Sequence, residues 1–595
     1  MINVKQYLAN TIRLRWTQHL LTNIYSPTRS HQHSLKIRTF AAKLNPEKMN
    51  PAFHTIDIII FAAYLLLIVG LGIRISHRKK NKEKTVEDYF LAGKSLPWWT
   101  IGASLIAANI SAEQFIGMSG SGFAGGFAVA SYEFMAALTL IIVAKFIMPV
   151  FVKQGIYTIP EFVEKRFSRN LKTILAVFWL GLFIFVNLTS VLYLGAKAID
   201  TIIGTGDGSL IVPAIIGLGL IAALYSITGG LSSVAWTDIL QVILLVLGGL
   251  ITTVVALQVI SPDGTIMHGV RHLTDMAGDR MHLILPKDNP EYHNLPGIAM
   301  LIGGLWVANL YYWGFNQYII QRAFAAKSLP EAQKGLAFAA FLKLLIPFIV
   351  VIPGIVAYVM YTEGSFGAVE ALTKANGALN NDNAYPWLIS TFIPTGLKGL
   401  VLAALAAAII SSLASMLNSA STIYTMDIYK PYIAPKVKEK TGKDVSLVLV
   451  GQISAALFLI IAILIAPALG SVGQMFQYIQ EYTGLVSPGI LALFLLGLFW
   501  KKTTNKGAIT GVVLSIPIAL ALKFLPIDMP FIDQMFYTCL LTMAIIVMVS
   551  LCTCEKEDDV KGIPLTASMF QTKRDFHIAA YAICLLLVVI YSVFW

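Results

Sequence analysis

The chain has 595 residues, 56% of them hydrophobic and only 13% charged, with a formal net charge of +12. Soluble domains carry about 25% charged residues, so this composition excludes a soluble globular protein and points to one embedded in lipid. The positive balance calls for no nucleic-acid partner, because residues 1–48 hold eight Lys/Arg against one acid, Glu47, which is +7 of the +12.

That N-terminal segment, 1–48, has no apolar core of the signal-peptide kind. Met49 follows it and opens Met49-Asn50-Pro51-Ala52-Phe53. The expectation is that translation begins at Met49; the alternative is a disordered basic tail. From there to Trp595 apolar runs long enough to cross a bilayer, about 20 residues each, recur along the chain. Fourteen spans are predicted, in order near 55–76, 98–125, 127–151, 172–199, 209–226, 237–260, 297–321, 332–361, 396–424, 444–466, 470–499, 507–524, 532–552 and 576–595. They make one all-α, polytopic domain over 49–595, with no soluble domain expected after it.

Basic residues cluster after the odd-numbered spans. Arg78, Lys79, Lys80, Lys82 and Lys84 follow span one; Lys165, Arg166, Arg169 and Lys172 follow span three; Arg322, Lys327 and Lys334 follow span seven. Lys430, Lys436, Lys438, Lys440 and Lys443 follow span nine, and Lys501, Lys502 and Lys506 follow span eleven. Loop 362–395 has one, Lys374. The positive-inside bias then makes the odd loops cytoplasmic and puts both ends of the bundle on the outer face of a cell (inner) membrane. The four cysteines, Cys539, Cys552, Cys554 and Cys584, sit in or beside the last two spans and are expected as free thiols.

Two spans are too polar to be plain lipid crossings. Span two carries Asn109, Glu113 and Gln114 at mid-depth, in Ala107-Ala108-Asn109-Ile110-Ser111-Ala112-Glu113-Gln114-Phe115-Ile116-Gly117-Met118. A charge there costs about 2.5–3.5 kcal/mol even on lenient insertion scales. Polar groups and broken backbone survive at that depth only where they face protein or a cavity. Span seven has a similar middle, from Gly303 and Gly304 through Asn309, Tyr311 and Tyr312 to Asn316 and Gln317. Interrupted helices at matching places in two halves point to a transport site. Spans two to six (98–260) and seven to eleven (297–499) read as two five-helix repeats, inverted because five is odd, with 507–595 as additional helices. Gly120 to Gly125 satisfies GxGxxG but lacks the strand that a dinucleotide site needs, and is expected to be a tight turn.

At these residues the chain resembles the sodium/solute symporters, and within them the bacterial sodium/galactose (sodium/glucose-type) transporters. The likeness runs from about Ile56 to Trp595. It is carried by Asp88-Tyr89-Phe90-Leu91-Ala92-Gly93-Lys94-Ser95-Leu96-Pro97-Trp98-Trp99, by Gly229-Gly230-Leu231 through Trp236-Thr237-Asp238, and by Glu481-Tyr482-Thr483-Gly484-Leu485-Val486-Ser487-Pro488-Gly489. It implies a LeuT-type 5+5 inverted-repeat fold and sodium-coupled symport of a monosaccharide, galactose or glucose. The alternative is another small solute such as myo-inositol. No bond is made or broken, so no enzyme is expected, nor any organic cofactor beyond Na⁺ as coupling ion.

The resemblance also implies residues. A hexose needs amides, a carboxylate, a cation and an aromatic plate around it. Gln114, Glu133, Asn309, Lys343 and Gln480, with Tyr312 as plate and inner gate, match the family's sugar ligands. Met118, Tyr132 and Phe476 match its outer gate. Ala136 departs, standing where the pattern has serine. Na⁺ takes oxygen ligands, and Ser411 and Ser412 match the sodium serines, with carbonyls from Ala107, Ile110 and Ala408. Asp238 is read as a cation relay or, alternatively, as the cap of span six. The plainer alternative for the polar set is interhelical glue, and for the serines close helix packing. A sensor or a channel on the same bundle is the rival class. The lipid bilayer is the one partner besides the sugar, and the oligomeric state is left open.

Overall fold

The structure, a computed structural model, describes residues 53–77 and 92–595 except 157, 205, 375, 443, 473, 527–528 and 554–560. The segment 1–48 with Met49, the cluster Arg78 to Lys84, the motif's start at Asp88 to Leu91, and Lys443 and Cys554 lie outside the described residues. Cys539, Cys552 and Cys584 are free, as expected.

Lipid offers no partner for backbone N–H and C=O groups, so apolar crossings must close their own hydrogen bonds as helices. Twelve helices among the described residues are long and apolar enough to cross. The fourteen predicted spans map onto them once two are accounted for. Span two is split into the helix Trp98–Asn109 and a second half that runs into span three as Glu113–Lys153, and span five is the shorter apolar helix Ile211–Leu224. Large apolar side chains lie exposed along spans one, ten, thirteen and fourteen, such as Leu66, Leu457, Leu541 and Leu585. That is the inversion a lipid solvent produces. Span nine, Leu397–Ile423, is buried along nearly its whole length and forms the axis of the bundle.

Spans five and six belong to one helical run of 49 residues, Ile211–Val259. A straight helix of that length measures about 73 Å, more than twice the ~30 Å hydrocarbon core. Its two arms return to one level. A Cβ on Gly195 would touch both Leu218 and Ile409, while Asp238 bonds Ser411, two residues beyond Ile409. The run therefore doubles back between Leu218 and Asp238, in keeping with the two crossings read from the sequence.

Both polar spans are broken. In span two the helix ends at Asn109, Ile110 is extended (φ −79°, ψ 105°), and a π-helical turn Glu113–Met118 leads into helix Ser119–Gly125. Span seven breaks at Gly303, and again at Asn316 (φ −90°, ψ 120°) after a π-helical turn Tyr311–Phe315. The GxGxxG stretch is not the turn expected of it. Gly120 to Gly125 is helical, and the chain turns at Gly126, whose φ is +81°. The glycines serve close packing instead. A Cβ on Gly122 would lie 2.9 Å from the Val351 carbonyl, and one on Gly354 2.0 Å from the Ser119 carbonyl. Spans two and eight therefore meet backbone to backbone.

Several charges counted as loop charges are buried. Arg166 donates from Nε to the Gly497 carbonyl (3.1 Å) and from one terminal nitrogen to those of Lys501 (2.8 Å) and Thr503 (3.0 Å). It thus holds the carbonyl end of span eleven, where the helix dipole favours a cation. Lys172 pairs with Glu164 and Asp427, and Arg322 is likewise buried. Asp57 of span one accepts from the Gly396 and Gly399 amides (2.7 and 2.8 Å) and so caps span nine.

Replacing Arg166 by Ala is expected to destabilise the protein by about 2–3 kcal/mol, the scale of hydrogen bonds to a charged group. Arg166→Lys should fall between the two, since it keeps the charge but loses the fork. Thermal unfolding in detergent reads both.

Candidate functional site

The break in span two places the chemistry. Ser111 Oγ accepts the Glu113 amide (3.1 Å), and Gln114 Oε1 accepts the Ser111 amide (2.9 Å). This Ser-x-x-Gln arrangement is a capping box that starts the second half-helix. Gln114, expected as a sugar ligand, thus commits its oxygen to the cap. The first half-helix ends with its last carbonyls unpaired by helix geometry, and one of them, on Ala108, accepts Ser412 Oγ of span nine at 3.0 Å.

One cavity at mid-bundle gathers the expected sugar-site side chains. Gln114, Met118, Tyr132, Glu133, Ala136, Asn309, Tyr312, Lys343, Phe476 and Gln480 all line it, on spans two, three, seven, eight and eleven. Lys343 Nζ donates to Glu133 Oε2 and to Asn109 Oδ1, and lies 5.2 Å from the centroid of the Trp313 ring. Lys343 and Glu133 are almost fully buried, so each offsets the desolvation of the other. Asn109 Nδ2 donates to Tyr312 Oη at 2.9 Å, and Tyr312 bonds Tyr318 in turn. Gln480 Nε2 donates to Glu113 Oε1 at 3.2 Å. Asn309 Nδ2 donates to the Leu305 carbonyl at 3.0 Å, one turn back in its own helix.

Two nodes of this network, Asn109 and Glu113, were absent from the expected ligand set. Their signal was in the sequence, since both are polar at mid-depth and flank the break. Among the cavity's lining residues Tyr132 and Phe476 stack edge to face with centroids 5.3 Å apart, and Met118 is buried as they are.

A second cluster adjoins the break. Ser411 Oγ donates to Asp238 Oδ1 (2.6 Å), and Ser104 Oγ donates to Asp238 Oδ2 (2.5 Å). Arg322 donates from Nε to Ser104 Oγ (2.7 Å), bonds Ser415, and lies 3.6 Å from Asp238. The two expected sodium serines therefore have different partners: Ser412 faces the break, between Ala107 and Ile110, and Ser411 faces Asp238. Ala408 precedes them by one turn. Hydroxyl and carbonyl oxygens in this number suit a hard cation. Asp238 does not cap span six, because it lies inside the helical run and its oxygens take side-chain bonds. Arg322, counted beforehand as a loop charge, is the cation that balances it.

The comparisons agree with this architecture. The sodium:solute symporter family matches residues 89–515. A sodium/glucose cotransporter of Vibrio parahaemolyticus is 62% identical over 544 residues, 91% of this chain and 98% of that protein. A human sodium/myo-inositol cotransporter is 35% identical over 486 residues, 78% of this chain and 66% of that protein. Among solved structures, a Na⁺-coupled sialic acid symporter in a substrate-bound, outward-open state superposes with a TM-score of 0.70 at 25% identity, covering 84% of this chain and 98% of its own.

Removing one partner of the buried pair should cost more than removing both. Lys343→Ala alone is expected to destabilise by about 3–5 kcal/mol, because Glu133 is left buried and uncompensated. Adding Glu133→Gln to it should recover a large part of that loss. A double-mutant cycle by thermal unfolding reads the difference, and additive losses would mean that the two groups do not balance each other. The matched span of more than four hundred residues, the broken helices and the identity of the relatives agree: this multi-pass membrane protein belongs to the sodium:solute symporter family.

Proposed function

We propose that the chain carries a monosaccharide, galactose or glucose, into the cell together with Na⁺ by alternating access. The observation that carries the reading is the mid-bundle cavity in which Lys343 donates to both Glu133 and Asn109 beside the Trp313 ring. A sugar hydroxyl both donates and accepts, so it can replace each of these bonds in kind. Gln480 and Glu113 offer a second pair, Asn309 an acceptor oxygen, and Tyr312 and Trp313 aromatic faces for the apolar side of the ring. The 62% identical sodium/glucose cotransporter supports hexose over myo-inositol, whose cotransporters are more distant.

The coupling ion belongs at the break, between the carbonyls of Ala107, Ile110 and Ala408 and the hydroxyls of Ser411 and Ser412, with Asp238 next on its way inward. One Na⁺ entering gains about 2.3 kcal/mol per 100 mV of membrane potential, plus its concentration term. That gradient replaces any organic cofactor, and the cargo crosses chemically unchanged. Met118, Tyr132 and Phe476 act as the outer gate and Tyr312 as the inner one. Residues 98–260 and 297–499 are the two inverted repeats, with 507–595 packed outside them. The basic loops put the odd connections in the cytoplasm of a cell whose inner membrane holds the protein.

Reconstituted in vesicles, the protein should accumulate labelled galactose or glucose saturably and only with an inward sodium gradient. Myo-inositol, amino acids and vitamins serve as competitors. Ser412→Ala should abolish sodium-driven accumulation while the protein still inserts. Undiminished accumulation at low sodium would show that this hydroxyl only packs helices.

Ala136 lines the cavity one helical turn from Glu133, on the same face. Ala136→Ser adds a hydroxyl within reach of the sugar or of Glu133. Hexose affinity is expected to tighten by up to about tenfold, the ratio for ~1.4 kcal/mol, with sodium affinity unchanged. A shift in sodium affinity without one for sugar would place position 136 outside the sugar site.

A further inference from the structure

Gln241 is buried in the middle of the bundle, and neither its amide oxygen nor its amide nitrogen has a hydrogen-bond partner. Leaving a buried amide unpaired is expensive, so such groups ordinarily meet water or a ligand. Its position says which ligand to consider. Gln241 follows Asp238 by three residues and so lies on the same helix face, in the stripe 238, 241, 245, 248.

Contacts on either side fix its level. Towards span nine, Asp238 bonds Ser411 and a Cβ on Gly248 would lie 2.8 Å from the Ala404 Cβ. The two helices are therefore antiparallel, and Gln241 falls level with Ala408. Towards span two, Ser104 bonds Asp238 and a Cβ on Gly249 would lie 3.3 Å from the Phe115 ring. Those helices are parallel with equal spacing, so Gln241 falls level with Ala107. Ala107 and Ala408 supply two of the carbonyls assigned above to the coupling cation. At the level of both stands a carboxamide with an unpartnered oxygen, a ligand type that hard cations accept.

We propose that the side-chain oxygen of Gln241 is a further ligand of the coupling cation, linking the ligands at the break to Asp238 one turn below. This rests on the sodium reading of the previous section. The whole protein is used, in detergent, and sodium binding is read as the rise in melting temperature when Na⁺ replaces choline. Gln241→Leu keeps the shape and removes the oxygen. It is expected to raise the half-saturating sodium concentration roughly fivefold or more, the change expected for one lost polar contact. Its melting temperature in choline should equal or exceed that of the wild type, since an unpaired amide has gone. Sugar affinity at saturating sodium should stay the same. Should Gln241→Leu fail to insert, Gln241→Met gives the same readout. Sodium affinity within about twofold of wild type overturns the proposal. If Ser412→Ala still weakens sodium in that case, only the assignment of Gln241 falls. If neither substitution moves it, the cation reading falls as well.

Discussion

The structure depends on one constraint: backbone polar groups in the middle of a membrane must find partners inside the protein. A helix that stops at Asn109 and restarts at Glu113 exposes carbonyls at one end and amides at the other. The amide end is closed locally by the Ser111–Gln114 capping box. The carbonyl end is closed from outside, by Ser412 reaching Ala108. Span nine therefore has to pass the break at hydroxyl distance, and its buried run of Ala and Ser side chains permits that approach. Spans eight and two approach by a different device, since Gly122 and Gly354 put no Cβ between their backbones.

Charge is handled by the same rule. Two buried cations and their carboxylates sit on either side of the break, Lys343 with Glu133 and Arg322 with Asp238. Neither pair is isolated. Asn109 and Trp313 attend Lys343, while Ser104, Ser411 and Ser415 share the second cluster. Buried pairs hold only when their remaining donors and acceptors are also satisfied. Such a network can exchange partners with an incoming ligand without stranding a charge, whereas a purely apolar core offers no such exchange.

Much of this was legible beforehand, because lipid simplifies the code. Length and hydropathy located the spans, and polar residues at mid-depth located both broken helices. What the pattern hid was local hydrogen bonding. Gln114 read as a ligand but spends its oxygen on a cap, and the glycines at 120–125 read as a turn but lie in a helix. Arg166 and Arg322 read as loop charges because they follow apolar spans. In fact the helix Gln317–Phe324 is buried throughout, and Arg166 turns back onto the end of span eleven. Charge counting assumes that a basic residue beyond a span is solvated, and a side chain long enough to reach buried acceptors escapes that assumption.

The two clusters share the break, and that sharing is a physical route for coupling. Ala108 answers to Ser412 and the neighbouring Asn109 to Lys343 and Tyr312. Consecutive residues at the end of one half-helix, next to the break, therefore bond span nine on one side and the Lys343 network on the other. Any ligand that fixes the conformation of one fixes that of the other, since φ and ψ at the break are common to both. Ordering the segment once serves both ligands, so whichever arrives first lowers the ordering cost for the second. The gain is necessarily mutual: what sodium does for sugar affinity, sugar does equally for sodium. Tyr312 adds a second link. It accepts from Asn109 and bonds Tyr318, which lies one turn before Arg322 and whose carbonyl accepts from that guanidinium. A change at the break is thereby felt at Tyr312 and at the partner of Asp238 together, so the two clusters draw on one connected set of bonds.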